Sequence, residues 1–437
     1  MRSWRGSGDQ SGPGGRRRGP ALVTGRQPGA GQRPEIRRLT QDDDLAPVLD
    51  LARRSFGPFG AEAAAARLAD TRESVADGRH LGAFDGGRLI AAAKYFDMVQ
   101  WWHGRRLPMA GVASVTVAPE ARGQGAGRAL MTALAGQIAA RGYPLSALYP
   151  ATAAVYRAVG YELAGAQYQA SVPARSLRSL LPPDVAAAGR PDGRVGLRRA
   201  GPADAAEISA VIGRVHEAAR DCGPADFDLG TSARLLDDEH LFCYLAPDGF
   251  LAYRWQGGNS EVLVYCATAG SAATARALWS VVASHSSMAG TVRAFCGPAD
   301  PVSWLTREPD VSLARHEPWM LRVIDARAAI AGRGFPPSAR ADVAVRLEDG
   351  LLPANAGLWR LSVRDGAGDL SRWRTDGPAG LPPAGPLMLG ARGLAALYAG
   401  IPVAALRLAG LAAGGDPAAD AALDGAFTGT AFMLGYF

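Results

Sequence analysis

Seven residues, Arg122-Gly123-Gln124-Gly125-Ala126-Gly127-Arg128, carry the clearest chemical signal in the chain. They follow a β-branched run, Val112 to Val117, that Pro119 interrupts. They precede a stretch in which Leu130, Leu134 and Ile138 recur one helical turn apart. The order strand, glycine-rich turn, helix points several backbone N–H groups at one place in front of a helix N-terminus, where a phosphate or pyrophosphate is stabilised. Glycines let the backbone approach the phosphates with no Cβ in the way. No Gly-Lys-Ser/Thr follows, which excludes a Walker A loop, and the spacing is not Gly-x-Gly-x-x-Gly, which disfavours a Rossmann dinucleotide site. A second signal sits at the far end of the chain. The last seven residues, Ala431 to Phe437, form an apolar, strand-like run where termini are usually polar and frayed. An α-carboxylate buried there is costly unless it is paired or used.

The elements that position these residues follow from periodicity and punctuation. Ile36 to Leu39 reads as a strand, and Thr40 with Asp43 three residues on marks a helix start. A helix through Ala52 and a second over Ala61 to Ala76 follow. A hairpin turns at Asp85-Gly86-Gly87, and a third strand covers Met109 to Val117. After the loop and its helix come a strand at Leu145 to Tyr149, a short helix at Thr152 to Val159, and a strand from Tyr161. The chain then repeats itself. Leu197-Arg198-Arg199 with Asp204 echoes Ile36-Arg37-Arg38 with Asp43, and a hairpin turning at Asp248-Gly249 echoes the first at nearly the same offset. Between the strand Glu261 to Cys266 and the helix of Arg276 to Trp279 the offset shortens, and no Arg-x-x-Gly-x-Gly loop survives. A third region starts after Gly332 to Pro337. It has strands at Val343 to Leu347, Gly357 to Val363 and Leu387 to Gly390, a helix with Leu394, Leu397 and Tyr398, and a final segment opening at Leu423.

The pattern Arg122-x-x-Gly125-x-Gly127 after Val-x-Val-x-Pro resembles the pyrophosphate loop of the GNAT N-acetyltransferases. The third region, through Asn355-x-Gly357-x-Trp359-x-Leu361 and its Leu-Ala-x-Leu-Tyr-x-Gly helix, resembles the sterol-carrier-protein-like domain. Two GNAT-like units followed by that domain resemble the enhanced-intracellular-survival (Eis-type) acetyltransferases over residues 35 to 437. The resemblance implies a mixed α/β (α+β) chain. Its parts are a disordered basic tail at 1–34, a catalytic GNAT domain at 35–180, a degenerate GNAT-like domain at 195–330 and the carrier-like domain at 338–437. It implies acetyl-CoA as co-substrate and no metal. The cofactor would lie on the backbone of Val115, Thr116 and Val117, on the loop Arg122, Gly123, Gln124, Gly125, Ala126, Gly127 and Arg128, and on Ala151 and Thr152.

Acetyl transfer to an amine needs a base, an acid near the departing sulfur and donors for the thioester oxygen. By resemblance, Tyr156, within Tyr156-x-x-x-Gly160-Tyr161, is the acid, and the carboxylate of Phe437 is the base. Tyr149 and Tyr161 read as packing residues. An α-carboxylate with an ordinary pKa of ~3.5 is better suited to orienting a water or the amine than to removing a proton unaided. Gly435-Tyr436 puts no acid before Phe437, which weakens the case for polycationic substrates. The expected acceptor is a primary amine of an aminoglycoside-like molecule, a polyamine or a peptide. A lipid- or sterol-binding carrier and a non-catalytic CoA-binding scaffold remain as alternatives, and the intact loop and Tyr156 argue against the first. A homo-oligomer, a hexamer in the family, is implied as well.

Composition bounds the rest. Of 437 residues, 48% are hydrophobic, enough for several buried cores, and no apolar run reaches the ~20 residues of a membrane span. Cys222, Cys243, Cys266 and Cys296 form no paired motif, which fits a reducing cytoplasm. The formal charge of +6 resides in residues 1–34, with seven arginines against Asp9, so the remainder is balanced and no nucleic-acid surface is expected on it. That tail has no apolar core of a secretory signal. Lysine occurs once, at Lys94, a bias towards arginine shared with the high Ala and Gly content.

Overall fold

The computed structural model describes residues 34–181, 195–308, 310–373 and 384–437. The basic tail expected at the start lies, but for Pro34, outside them.

The first region runs β1 (Glu35–Arg38), α1 (Ala46–Phe56), α2 (Ala61–Ala76), β2 (His80–Asp85), β3 (Arg88–Trp102), β4 (Arg105–Val117), α3 (Ala126–Ala140), β5 (Leu145–Leu148), α4 (Ala153–Arg157) and β6 (Glu162–Pro173). The Thr40/Asp43 signature closes a turn rather than a helix. Asp43 accepts from the Thr40 amide at 2.8 Å, and α1 begins three residues later, behind Asp44, whose carboxylate caps the Ala46 amide at 2.9 Å. On α3, Leu130, Leu134 and Ile138 are fully buried against the sheet. Burying such side chains stabilises by roughly 1.5–3 kcal/mol each.

The second region runs β7 (Arg198–Ala200), α5 (Ala205–Ala219), β8 (Cys222–Phe227), α6 (Leu229–Leu236), β9 (Phe242–Ala246), β10 (Gly249–Gln256), β11 (Glu261–Ala269), α7 (Ala272–Ala283), β12 (Thr291–Cys296), α8 (Val302–Leu305) and β13 (Ser312–Val323). The third runs α9 (Ala326–Gly332), β14 (Ala341–Glu348), β15 (Gly357–Arg364), β16 (Ala367–Arg372), β17 (Leu387–Gly390), α10 (Ala391–Tyr398), α11 (Val403–Leu408), β18 (Ala412–Gly414) and α12 (Pro417–Ala426). Leu423 therefore does not open the last segment. It is fully buried in the final turn of α12, which the capping Asp416 starts.

The first two regions share one 13-stranded sheet, ordered β1-β2-β3-β4-β5-β13-β6-β12-β11-β10-β9-β7, with β8 added to β3. The two units exchange strands. β13, the last strand of the second, inserts between β5 and β6 of the first, pairing Met320 with Leu148 and Leu321 with Glu162. β6 in turn pairs with β12, from Thr291↔Pro173 to Cys296↔Tyr168. Separating the units would expose two ladders of unpaired backbone groups.

The third region forms a five-stranded sheet, β16-β15-β14-β17-β18. Its helices and inner face merge with the first two regions around Trp102, Trp319, Tyr398 and Phe427. Arg333 is fully buried there, over the rings of Tyr398 and Trp102 at 4.9 and 5.1 Å, and donates to the Tyr398 carbonyl at 2.8 Å. Its charge is satisfied by aromatic faces and carbonyls rather than by an acid. No described helix is long and apolar enough to cross a membrane.

Candidate active site

The site is an opening between β4 and β5. The two strands pair in parallel only at Met109↔Leu145, Ala110↔Ser146 and Gly111↔Ala147. β4 then continues to Val117 while β5 ends at Leu148, so the β5-facing edge of residues 112 to 117 stays free for an extended ligand. Within this edge Ser114 adopts φ 52°, and the register with β3 slips between Ala92 and Lys94. The bulge turns the backbone of Ser114 and Val115 out of the regular ladder and leaves polar groups available at the mouth. Sequence periodicity gave no sign of it.

The glycine loop lies at the far end of that edge. Gly123 and Gly125 have φ of 75° and 85°, and Gly125 starts α3 with no capping side chain. The first amides of α3, those of Ala126, Gly127 and Arg128, therefore face the loop as an anion site. Gly127 packs closely, since a Cβ there would meet Val117 at 3.3 Å. The side chains play less part than the backbone. Arg122 Nε donates to the Val117 carbonyl at 3.3 Å, Gln124 Nε2 to the Glu120 carbonyl at 2.8 Å, and buried Thr116 Oγ1 to the Ala92 carbonyl at 3.3 Å. Ala151 and Thr152 stand exposed before α4. Thr152 occupies its N-cap position but makes no capping bond.

Tyr156 lies on α4 and is 5% exposed. Burial, with a smaller contribution from the nearby Tyr436 phenol, pushes its pKa up to about 12, so it keeps its proton at neutral pH. Tyr161 differs: it is fully buried, and its hydroxyl bonds Ser146 Oγ at 2.7 Å.

The C-terminal run crosses from the second region to this opening. The Phe432 amide donates to the Cys222 carbonyl at 3.0 Å and the Met433 amide to the Ala166 carbonyl at 3.2 Å. Gln167 Nε2 donates to the Leu434 carbonyl at 2.8 Å. Gly165 and Gly223 make room for it, because a Cβ at either would lie within 2.1 and 2.5 Å of backbone oxygens of Ala431 and Phe432. Tyr149 does more than pack. Its hydroxyl donates to the Gly435 carbonyl at 2.7 Å, its ring stacks on Tyr436 at 4.3 Å, and it meets Phe437 edge-on at 5.5 Å. The Phe437 ring rests on Gly111, 3.1 Å from where a Cβ would be. Tyr436 links the two ends of the site: its phenol is near enough to Tyr156 to raise its pKa, and its ring stacks on Tyr149, which in turn meets Phe437. Among the described residues, the terminal carboxylate has no ion-pair partner. The single lysine, Lys94, is buried and paired with Asp70.

Models of the acetyltransferase (GNAT) domain match residues 35–164 and 231–323, and a sterol carrier protein domain model matches 326–435. N-acetyltransferase Eis of Mycobacterium tuberculosis is 27% identical over 67% of this chain and 75% of its own. The crystal structure of Eis1 from Mycobacterium abscessus is 25% identical, covers 92% of this chain and 100% of its own, and superposes with a TM-score of 0.71. A GCN5-related N-acetyltransferase from Kribbella flavida is 44% identical over 93% of this chain and 99% of its own, with a TM-score of 0.83. The chain is an Eis-type GCN5-related N-acetyltransferase.

The second GNAT domain of this acetyltransferase retains the splayed strands but not the anion site. β11 and β12 pair from Glu261↔Thr291 to Val264↔Ala294 and then part. Where the first domain has an uncapped helix, Ser271 caps α7 and accepts from the Thr274 amide at 3.2 Å. The side chain takes the place a phosphate oxygen would occupy. The opening is a cavity of about 430 Å³, lined by Thr268, Trp279, Asp300, Phe432 and Leu434 among others.

Burial raises the Asp300 carboxyl from its ordinary 3.8 to about 6. The folded state therefore holds this proton more tightly than the unfolded one. The resulting stabilisation is fully present below about 3.8 and is lost as pH rises through about 6. Asp300→Asn is expected to stabilise the acetyltransferase at pH 7 by on the order of 1–2 kcal/mol and to make little difference near pH 4. Thermal melts of both forms across that range check this.

Proposed function

We propose that the protein transfers the acetyl group of acetyl-CoA directly to a primary amine in a ternary complex. The observation that carries this reading is the alignment of an uncapped α3 N-terminus with the free edge of β4. A pyrophosphate at the first would lead a pantetheine arm along the second, towards Gly111 and Phe437. The loop glycines, the bulge at Ser114 and the exposed Thr152 all fit such a ligand. The amine nitrogen attacks the thioester carbon, the C–S bond breaks, and Tyr156 gives its proton to the departing thiolate. The Phe437 carboxylate orients the amine, or a water that takes its proton. Backbone N–H groups freed at the bulge of β4 stabilise the thioester oxygen as charge develops on it.

The acceptor class is a small-molecule amine of aminoglycoside or polyamine type, or a peptide amine. The flanking residue Tyr436 is aromatic, 61% exposed and uncharged, so it offers a stacking face and no counter-charge. A homohexamer in the cytoplasm belongs to the same proposal, and its mass in solution checks the assembly.

Incubation with acetyl-CoA and a panel of amines, following free thiol, tests the chemistry. Thiol release that depends on the amine is expected. Binding of CoA with no release for any amine would leave only the scaffold reading.

A further inference from the structure

What holds Tyr156 in place is not its own helix. α4 has five residues and no capping side chain, too short to be stable by itself. The next residue after Tyr156 is Arg157, and its guanidinium reaches forward to Glu162, the first residue of β6. Arg157 donates from Nε and Nη2 to Glu162 Oε1 at 3.0 and 2.7 Å, and the Leu163 amide adds a third bond to the same oxygen at 3.0 Å. The other oxygen, Oε2, takes Arg392 Nε at 2.6 Å and Nη2 at 2.5 Å. Arg392 is the second residue of α10, in the sterol-carrier-like region. The Glu162 side chain is 5% exposed, and both of its oxygens are engaged. Burial opposes its ionisation, but Arg157, the Leu163 amide and Arg392 together hold it below the ordinary carboxylate range. It is charged throughout the neutral range, and charge-assisted pairs of this geometry are directional as well as strong.

We propose that Glu162 is a positioning residue for Tyr156, and that Arg392 is a second contribution of the third region to the reaction, beside Phe437. The carboxylate ties the flank of α4 to β6 on one side and to α10 on the other, 230 residues away in the chain. With that tie the phenol is aimed into the β4–β5 opening. Without it, the short helix loses its charged tie to β6 and α10, and a displacement of about 1 Å at a reacting group costs about a hundredfold in rate. The third region then joins the catalytic machinery through this ion pair as well as through Phe437, rather than acting as a separate lipid carrier.

This inference rests on Tyr156 as the acid, and the test separates the two. Glu162→Gln keeps the side chain's shape and removes its charge. It is expected to lower kcat about tenfold or more while the KM for acetyl-CoA moves less than about twofold. Arg392→Gln alters a side chain that is 39% exposed, so the fold persists; its kcat falls about fivefold, and Arg392→Lys recovers part of the loss. The double variant Glu162→Gln/Tyr156→Phe is expected to be no slower than Tyr156→Phe alone, because a misplaced acid and a missing one are the same defect. Wild-type kcat in folded Glu162→Gln or Arg392→Gln overturns the positioning role. So do losses that multiply in the double variant. Full activity of Tyr156→Phe by itself instead overturns the acid assignment on which the proposal stands. Should Glu162→Gln fail to fold, the Arg392 pair decides.

Discussion

Replacing Tyr156 by phenylalanine is expected to lower kcat about a hundredfold and to leave the affinity for acetyl-CoA within about twofold. A positioned proton donor contributes typically 10²–10⁴-fold, and a thiolate leaving group lies towards the lower end because it departs with less help than an alkoxide. The pKa of about 12 sets the pH behaviour. A phenol in ordinary surroundings would have lost about half its protons by pH ~10. Burial moves that loss to higher pH, so the wild-type kcat carries no alkaline limb from this residue between pH 7 and 10. The variant retains the ring that fills the 5% exposed site, so its stability changes by less than ~1 kcal/mol and the kinetic loss is not a folding loss. Steady-state kinetics across pH 6 to 10, with melts of both proteins, check each part. Turnover at the wild-type rate would remove Tyr156 from the mechanism.

The same residue shows how far a sequence carries and where it stops. The strand, loop and helix around Gly125 are contiguous, so their chemistry can be read locally: glycines at the turn, apolar residues one helical turn apart, no capping side chain. The repeat is legible for the same reason, since each hairpin and each helix start is a short-range pattern. What could not be read is long-range. Nothing in Ser312 to Val323 signals that this strand enters the other unit between β5 and β6, because register over so long a separation depends on which edges remain unpaired after the rest has folded. The Ser114 bulge is likewise invisible, as its cause is one extra residue against β3 rather than a residue type. Tyr149 read as a packing residue because its partners, Gly435 to Phe437, are nearly 290 residues distant. Glu162 and Arg392 are ordinary charged residues until the third region is docked. The missing phosphate site of the second domain lies between these cases. The sequence shows the shortened loop, and the structure supplies part of the reason in Ser271, which satisfies the Thr274 amide that a phosphate would otherwise take.

Removing Phe437, or extending the chain beyond it, is expected to lower kcat/KM for the amine by about a hundredfold while acetyl-CoA still binds. Two effects are involved, and they can be separated. The ring rests on Gly111 and meets Tyr149 edge-on, so it closes one wall of the opening. The carboxylate is the proposed contact for the amine or its water. Phe437→Ala keeps the carboxylate and loses the ring, and a loss of about tenfold is expected, mostly in the KM for the amine. An added C-terminal glycine keeps the ring and displaces the charge by one residue, and the larger loss is expected in kcat. Neither change should unfold the protein. The run is held upstream by the Cys222 and Ala166 carbonyls and by Gln167, contacts that end before Gly435. Tyr149→Phe provides the intermediate case. It removes the hydrogen bond to the Gly435 carbonyl, worth about 1 kcal/mol net, and keeps both ring contacts, so a few-fold loss follows. If the glycine-extended protein is as active as the wild type, the carboxylate has no part in deprotonation, and the role of Phe437 reduces to that of its ring. If Phe437→Ala is as impaired as the deletion, the ring's placement against Gly111 is what matters, and the amine must lose its proton directly to solvent.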